Sequence, residues 1–414
     1  MPKLTLETFY ELPRVNGLQL SGDGRELMLQ VQTLSPDRTK FRTSLWGAPA
    51  DGSRSPRRLT FSEPGEGAAA FLPDGSLVFA SARPDVTAKE DEGEGRLFLL
   101  PADGGEARPL ATLPGGAGNL VAAKRAPTLV VASPFFVSSD GIAADESKQK
   151  QRKEAGVSGV LLEELPIRYW DHDLGPRQAR LLRYEVRADG RALDEPDDLT
   201  PSPGVALGEA SFAVSPDGRT VVTTWRRDVG NGVLRWDLVL LAGGERRTLA
   251  SGPHFASPAI SPDGTKIVAV REERATPDRA GDLTLWLVDL TSGEGHDLLP
   301  GFDLWPGAPA WSADGSSVVF VADERGRAPV FVVPVDGGTP RRLTDEGAYT
   351  ALQPAPDGSI FALRSSYLSP NEVARVGPDG TVTPPGNARI WYETVLAFLA
   401  EHVLGEGWQR PALL

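Results

Sequence analysis

SPDGRTVVT (215–223), SPDGTKIVA (261–269), SADGSSVVF (312–320) and APDGSIFAL (355–363) are variants of one phrase. Each sets an Asp-Gly pair, or its near equivalent, just before a short run of β-branched, aliphatic or aromatic residues. Asp-Gly suits the positive φ of a tight hairpin turn, and such a run suits the strand that leaves it. The phrase also occurs earlier, as SGDGRELML (21–29) and LPDGSLVFA (72–80). The turn glycines Gly24, Gly75, Gly218, Gly264, Gly315 and Gly358 are spaced by 51, 143, 46, 51 and 43 residues. The long interval is close to three of the others, so spacing alone predicts two further repeats between Gly75 and Gly218.

A second turn falls later in each unit and introduces a strand rich in Arg and Leu, as in PADGGEARPLA (101–111), LAGGERRTLA (241–250), LTSGEGHDLL (290–299) and PVDGGTPRRLT (334–344). ADGS (50–53) followed by PRRLT (56–60) does the same in the first unit. One unit therefore reads strand, turn, strand, connection, strand, turn, strand. Four antiparallel strands every 43 to 51 residues is the signature of a β-propeller blade, whereas a solenoid of helices would show a longer internal period. Placed along the chain, the pattern gives blades at 18–61, 68–112, 118–200, 209–250, 256–300, 308–344 and 350–384. The predicted fold is all-β, a seven-bladed β-propeller of four-stranded antiparallel blades. The third blade lacks its Asp-Gly turn, has Lys124 to Pro127 in its place, and carries an insertion over 138–178. A loop of that length inside a compact repeat is the first place to look for function. The Trp-Asp pairs at Trp170 and Trp236 do not share a repeat position, so the WD-repeat signature is not met.

Composition narrows the function classes. Gly 45 and Pro 36 make about a fifth of the 414 residues, and two turns per blade account for that excess. The net charge of −13 disfavours nucleic acid and anionic lipid as partners. Cys 0 excludes disulfides and thiolate chemistry, and four scattered histidines without HExxH spacing give no metal site. Gly115 to Gly118 is glycine-rich but no Walker lysine follows, so no cofactor is expected. The start, MPKLTLETFYELPRV, lacks the shape of a secretory signal and no apolar run reaches membrane-spanning length, which leads to an expected cytoplasmic location.

Beyond about Pro385 the pattern changes to GNARIWYETVLAFLAEHVLGEGW (386–408). Trp391, Val395, Phe398, Leu399 and Val403 share one face at helical spacing, so 385–414 is predicted to hold a C-terminal amphipathic helix. A helix of this length needs an apolar partner.

The opening TLETFYELPRVNGLQLSGDGRELML (5–29), the segment PIRYWDHDLGPRQARLL (166–182) and the closing NARIWYETVLAFLAEHVL (387–404) together resemble the S9 (prolyl oligopeptidase) family of serine peptidases, on the side of its acylaminoacyl-peptidase and dipeptidyl-peptidase 5-like members. The resemblance implies a seven-bladed propeller capping an α/β-hydrolase that carries Ser, Asp and His. It also implies that residues 1–17 pack toward the hydrolase side and that the tail matches the hydrolase's last helix. The chain departs from the family in lacking any Gly-x-Ser-x-Gly elbow; Gly156-Val157-Ser158-Gly159 lacks the final glycine. No catalytic residue is therefore carried over. His296, in SGEGHD, is better explained as a surface hairpin histidine; His402 falls on the predicted helix, and His172 and His254 are loop candidates without a partner.

In S9 exopeptidases, propeller segments reach the cavity and hold a peptide end. The matching candidates are Glu163, Glu164, Arg168, Tyr169, Trp170, Asp171 and Arg177, with Arg271 and Arg274 in REERATPDR (271–279) as weaker ones. Acidic side chains would pair an ammonium and arginine would fork a carboxylate, so the choice of peptide end stays open. Ordinary blade packing and surface ion pairs explain the same residues equally well, and Lys148, Lys150, Arg152 and Lys153 read as a solvated face. The expected function is a substrate-gating, peptide-end-binding propeller of an S9-type serine peptidase, itself lacking the triad and inactive. Its expected partners are short peptides, a hydrolase domain, and further copies of itself. The alternative is a stand-alone propeller, TolB-like or WD-repeat-like, that docks proteins.

Overall fold

The computed structural model describes residues 6–84, 95–162, 167–170, 172–187, 190, 195–367 and 369–383. It contains seven four-stranded antiparallel sheets, each with its strands paired in the order first to fourth; in six the strands are consecutive in sequence, and in the third a two-stranded ribbon intervenes between the second and third. They fall into two compact units. Unit 1, from the two ends of the chain, holds blade 1 (14–58), blade 6 (306–342) and blade 7 (348–383). Unit 2, Glu63–Asp297, holds blade 2 (66–112), blade 3 (120–198), blade 4 (212–250) and blade 5 (254–297).

The repeated Asp-Gly phrase forms the first hairpin of its blade. The six turn glycines have φ between 74° and 83°, which a Cβ would disfavour. In blade 5 the Ser261 hydroxyl donates to Asp263 Oδ1 at 2.5 Å and accepts the Lys266 N–H at 2.9 Å, while Asp263 Oδ1 accepts the Thr265 N–H at 3.0 Å. The same Ser-x-Asp lock recurs at Ser21, Ser215 and Ser312. Led by the Ser261 hydroxyl, these donors hold the Asp263 carboxyl down to about 2.

Strands in the middle of each blade read as continuous apolar runs because both faces of the sheet are covered. All five residues of Leu77–Ser81 are buried, as are Val221, Val222, Thr223 and Thr224 in blade 4. Fourth strands such as Arg57–Arg58 and Arg341–Arg342 are exposed, which accounts for their arginines. Within unit 2, Val222 and Leu238 of blade 4 pack with Ile267, Ala269 and Val288 of blade 5. Within unit 1, Leu18, Leu27 and Leu29 of blade 1 pack with Phe361 and Leu363 of blade 7, and the Asn371 amide donates to Val15 O at 3.0 Å. The first strands of blades 1, 2, 5, 6 and 7 each carry a register shift, and in blades 5, 6 and 7 it coincides with positive φ at Ser257, Ala308 and Ala351.

One blade lies between those of Gly75 and Gly218, and the insertion takes up the length that spacing alone would give a second repeat. One boundary differs from expectation. The first strand begins at Arg14, after helix α1 (Leu6–Glu11), so blade 1 takes the last residues of the expected 1–17 segment. The tail helix predicted for 385–414, with His402, lies outside the described residues. Among the described residues no helix is long and apolar enough to cross a membrane.

Candidate functional site

Antiparallel order fixes which loops share an end of each blade. The second-to-third connection and the entry to the first strand lie opposite the Asp-Gly turn. In blade 1, α1 enters at this end, where Arg38 of the second connection pairs with Glu11 at 2.7 Å. The Arg14 guanidinium lies 5.4 Å from the centre of the Phe9 ring and 4.4 Å from that of Phe41. The last strand of blade 7, Val382–Thr383, also runs toward this end. The insertion of blade 3 occupies the corresponding position in unit 2, between strands Thr128–Phe136 and Arg177–Glu185.

The insertion begins with α2 (Gly141–Glu154), whose Ala, Glu, Lys, Gln and Arg residues favour a helix and whose Arg152 and Lys153 suit its C-terminal dipole. Gly156, with φ 63°, ends it, and the Val157 N–H returns to Arg152 O at 2.9 Å. The helix is polar on nearly every side, so packing alone does not hold it. Asp145 is buried beneath it, with Oδ1 accepting the Phe136 N–H at 2.7 Å and Oδ2 paired with Arg177 Nη1. Arg177 Nη1 also donates to Pro134 O at 3.0 Å, Nη2 donates to Gln149 Oε1 at 2.7 Å, and the guanidinium lies 4.1 Å from the Phe136 ring centre. A second arginine, Arg180, is buried, donates to Ser139 O at 2.8 Å and pairs with Asp198 at 3.2 Å. Gly115 makes room for this arrangement, since a Cβ there would lie 1.8 Å from Pro134 O and 2.7 Å from Arg177 Nη1.

After α2 the chain presents Val157, Val160 and Leu161 to solvent, then returns through a tight hairpin whose backbone strands Arg168–Tyr169 and His172–Asp173 are antiparallel neighbours, so His172 lies in a strand rather than a loop. Trp170 stands at the tip, 97% exposed, with φ 25°. Of the sequence candidates, Arg168 and Trp170 thus project at the hairpin and Arg177 faces α2. Of Tyr169 only the backbone is described, and Glu163, Glu164 and Asp171 lie outside the described residues. The hairpin brings Arg168, Tyr169 and Trp170 together, while Arg177 belongs to the anchor of α2.

Sequence reading missed Asp145, Arg180 and Arg226, the last a buried arginine at the end of blade 4's second strand. An acid inside a charged helix carries no local sign of burial. The expected pairing of Arg177 with a ligand differs from its position here, where both Nη atoms meet chain partners. Arg271 likewise pairs with Glu273 and lies 4.7 Å from the Trp286 ring centre, and Arg274 is exposed. His254 is not a loop residue: it opens the first strand of blade 5 and stacks on Trp236 at 4.7 Å. Burial holds its pKa below the usual histidine range, opposed by Glu272 and reinforced by Arg274 and Arg235. His296 lies exposed in the last strand of the same blade. Among the described residues no three His, Asp or Glu side chains gather as a metal-ligand set.

No family model matches the chain. A dipeptidyl-peptidase 5 of Porphyromonas gingivalis is 25% identical over 91% of this chain and 54% of its own length. The chain thus spans about half the length of that curated relative. Among solved structures, the acylaminoacyl peptidase of Pyrococcus horikoshii superposes with TM-score 0.67 at 14% identity, over 93% of this chain and 54% of that one. The propeller domain of the Trilobed protease from Pyrococcus furiosus, described as having an open velcro topology, gives 0.61 at 11% identity over 90% and 97%. An oligogalacturonate lyase in complex with manganese gives 0.58 at 15% identity over 91% of both chains. These likenesses show the fold, a seven-bladed β-propeller.

Proposed function

We propose that this chain, an S9-peptidase-like propeller, screens short peptides and holds one of their ends for a serine exopeptidase or oligopeptidase. The observation that carries the reading is the blade 3 insertion. It leaves blade 3 at the end opposite that blade's first turn and projects Trp170, Arg168 and a run of apolar residues from an anchor of largely buried ion pairs. Large exposed aromatic and apolar side chains on a fixed support are what a recognition surface requires. The likeness to dipeptidyl-peptidase 5 and acylaminoacyl peptidase supplies the ligand class.

In this reading hydrolysis belongs to a Ser-His-Asp hydrolase body, which would form the acyl-enzyme and stabilise its oxyanion. The propeller supplies size exclusion and orientation. Its partners are short peptides, that hydrolase body and further copies of the chain, in the cytoplasm. Two measurements test the proposal. The 414-residue chain should bind di- to pentapeptides in a calorimeter, and it should take up no serine-directed fluorophosphonate. Labelling of the chain, or absence of any peptide binding, overturns it.

A second reading, a free-standing propeller, is favoured by one observation, the likeness to the oligogalacturonate lyase over 91% of both chains. Binding of a folded protein or a saccharide in place of peptides would favour it.

A further inference from the structure

Where the insertion returns to blade 3, beside the 3-10 turn Gly204–Leu207 that leads into blade 4, lies a cavity of about 130 Å³. Its walls are mainly apolar, with Leu161, Leu162, Leu174 and Val205 among them, and Arg177, Gln178 and Arg226 complete the lining. The packing of its two legs is close: a Cβ on Gly175 would lie 3.0 Å from Leu162 Cδ2. Val137 and Leu161 are exposed, so hydrocarbon faces water at the mouth.

The chemistry of these walls selects an occupant. Arg177 already meets Asp145, Pro134 O and Gln149, and Arg226 is buried with a partner of its own. Arg177 therefore offers no open fork to a carboxylate, and Arg226 is already engaged. A charged side chain entering here would lose hydration and meet guanidinium groups that already have partners, whereas a hydrocarbon would cover apolar surface. Size is equally selective. A dry aliphatic cavity of roughly 150 Å³ accepts a benzene ring, and whole drug-sized ligands need about 300 Å³ or more. This cavity fits one compact side chain.

We infer that the cavity is a subsite for a single branched aliphatic side chain, Leu, Ile or Val, of a bound peptide. The inference rests on the proposal that peptides bind at the insertion. It adds a residue preference set by the propeller itself: Leu over Ala by at least about tenfold, the low end of what one methylene is worth in an apolar pocket.

The test uses the full chain, NMR and calorimetry, with N-acetyl-leucinamide, N-acetyl-alaninamide, Gly-Leu-Gly and Gly-Asp-Gly as probes. Leu161→Ser changes an exposed wall residue and should leave the melting temperature unchanged; Val205→Phe fills the cavity from the opposite side. The expected result is tighter binding of the two leucyl probes, reduced at least fivefold by either variant. Binding of N-acetyl-leucinamide alone, with both tripeptides inert, keeps the subsite and overturns the peptide reading. Equal binding of Gly-Leu-Gly and Gly-Asp-Gly, unmoved by Leu161→Ser, overturns the subsite and keeps the peptide reading. No binding by any probe overturns both.

Discussion

Blade 4 joins its second strand to its third through five residues, 229–233, whereas blade 3 takes forty, 137–176, for the same step. The strands on either side do not register the difference. Thr128–Phe136 pairs with Arg177–Glu185, and Thr220–Asp228 with Leu234–Ala242, in both cases through nine opposed residues without a shift. Loop entropy explains why this is tolerated. Going from five residues to forty is three doublings, each costing about 0.6 kcal/mol, so roughly 2 kcal/mol in all. A single buried, hydrogen-bonded ion pair is on that scale. The blade supplies the rim and the insertion supplies the surface, with Asp145 and Arg177 as the join.

The largest effect should come from making the two blades alike. Replacing 137–176 by the five residues of blade 4 should leave the β-sheet circular dichroism intact and abolish peptide binding. Loss of the β signal instead would mean that the insertion is part of the blade's own core. Next, Asp145→Ala strands a mostly buried guanidinium and should cost about 3–5 kcal/mol, read in urea titrations and as lost hydrogen-exchange protection in α2. The corresponding change in blade 4, Asp237→Ala, removes the partner of a more exposed Arg227 and should cost no more than about 1 kcal/mol. Equal costs would erase the contrast. Gly115→Ala should follow, at about 1–3 kcal/mol, because its Cβ meets backbone that cannot withdraw.

The smallest effects are those of pH. His254 has a depressed folded pKa, so its contribution is fully present above the unfolded value of 6.5 and fades as pH falls below it. His254→Phe should remove that dependence from thermal melts between pH 7 and 5. The Asp-Gly turns behave in the same sense at lower pH. With Asp263 held at about 2 against 3.8 unfolded, their support is complete above pH 4 and fades toward pH 2. Melts that are flat through that window would contradict the role given to the Ser-x-Asp locks.

The architecture was legible because it is written locally and repeatedly. An Asp-Gly turn and a doubly buried apolar strand each declare themselves within ten residues, and the insertion declares itself as a break in their spacing. The bulges were not legible, since Ser257, Ala308 and Ala351 adopt positive φ without the glycine that would announce it. The anchor was not legible either. Asp145 and Arg177 are separated by 32 residues, and nothing local marks one acid of α2 as buried or turns the Arg177 fork inward. His254 looked like a loop residue because its partner, Trp236, belongs to another blade. The candidate site was found as a segment, through its length and its resemblance, while the roles of its side chains depended on long-range pairing.

Hydrogen exchange with and without a short leucyl peptide locates the recognition surface. Slowed exchange is expected in 157–162 and 167–178 with the Asp-Gly turns unchanged; protection at those turns, with the insertion unaffected, would contradict peptide recognition by the insertion.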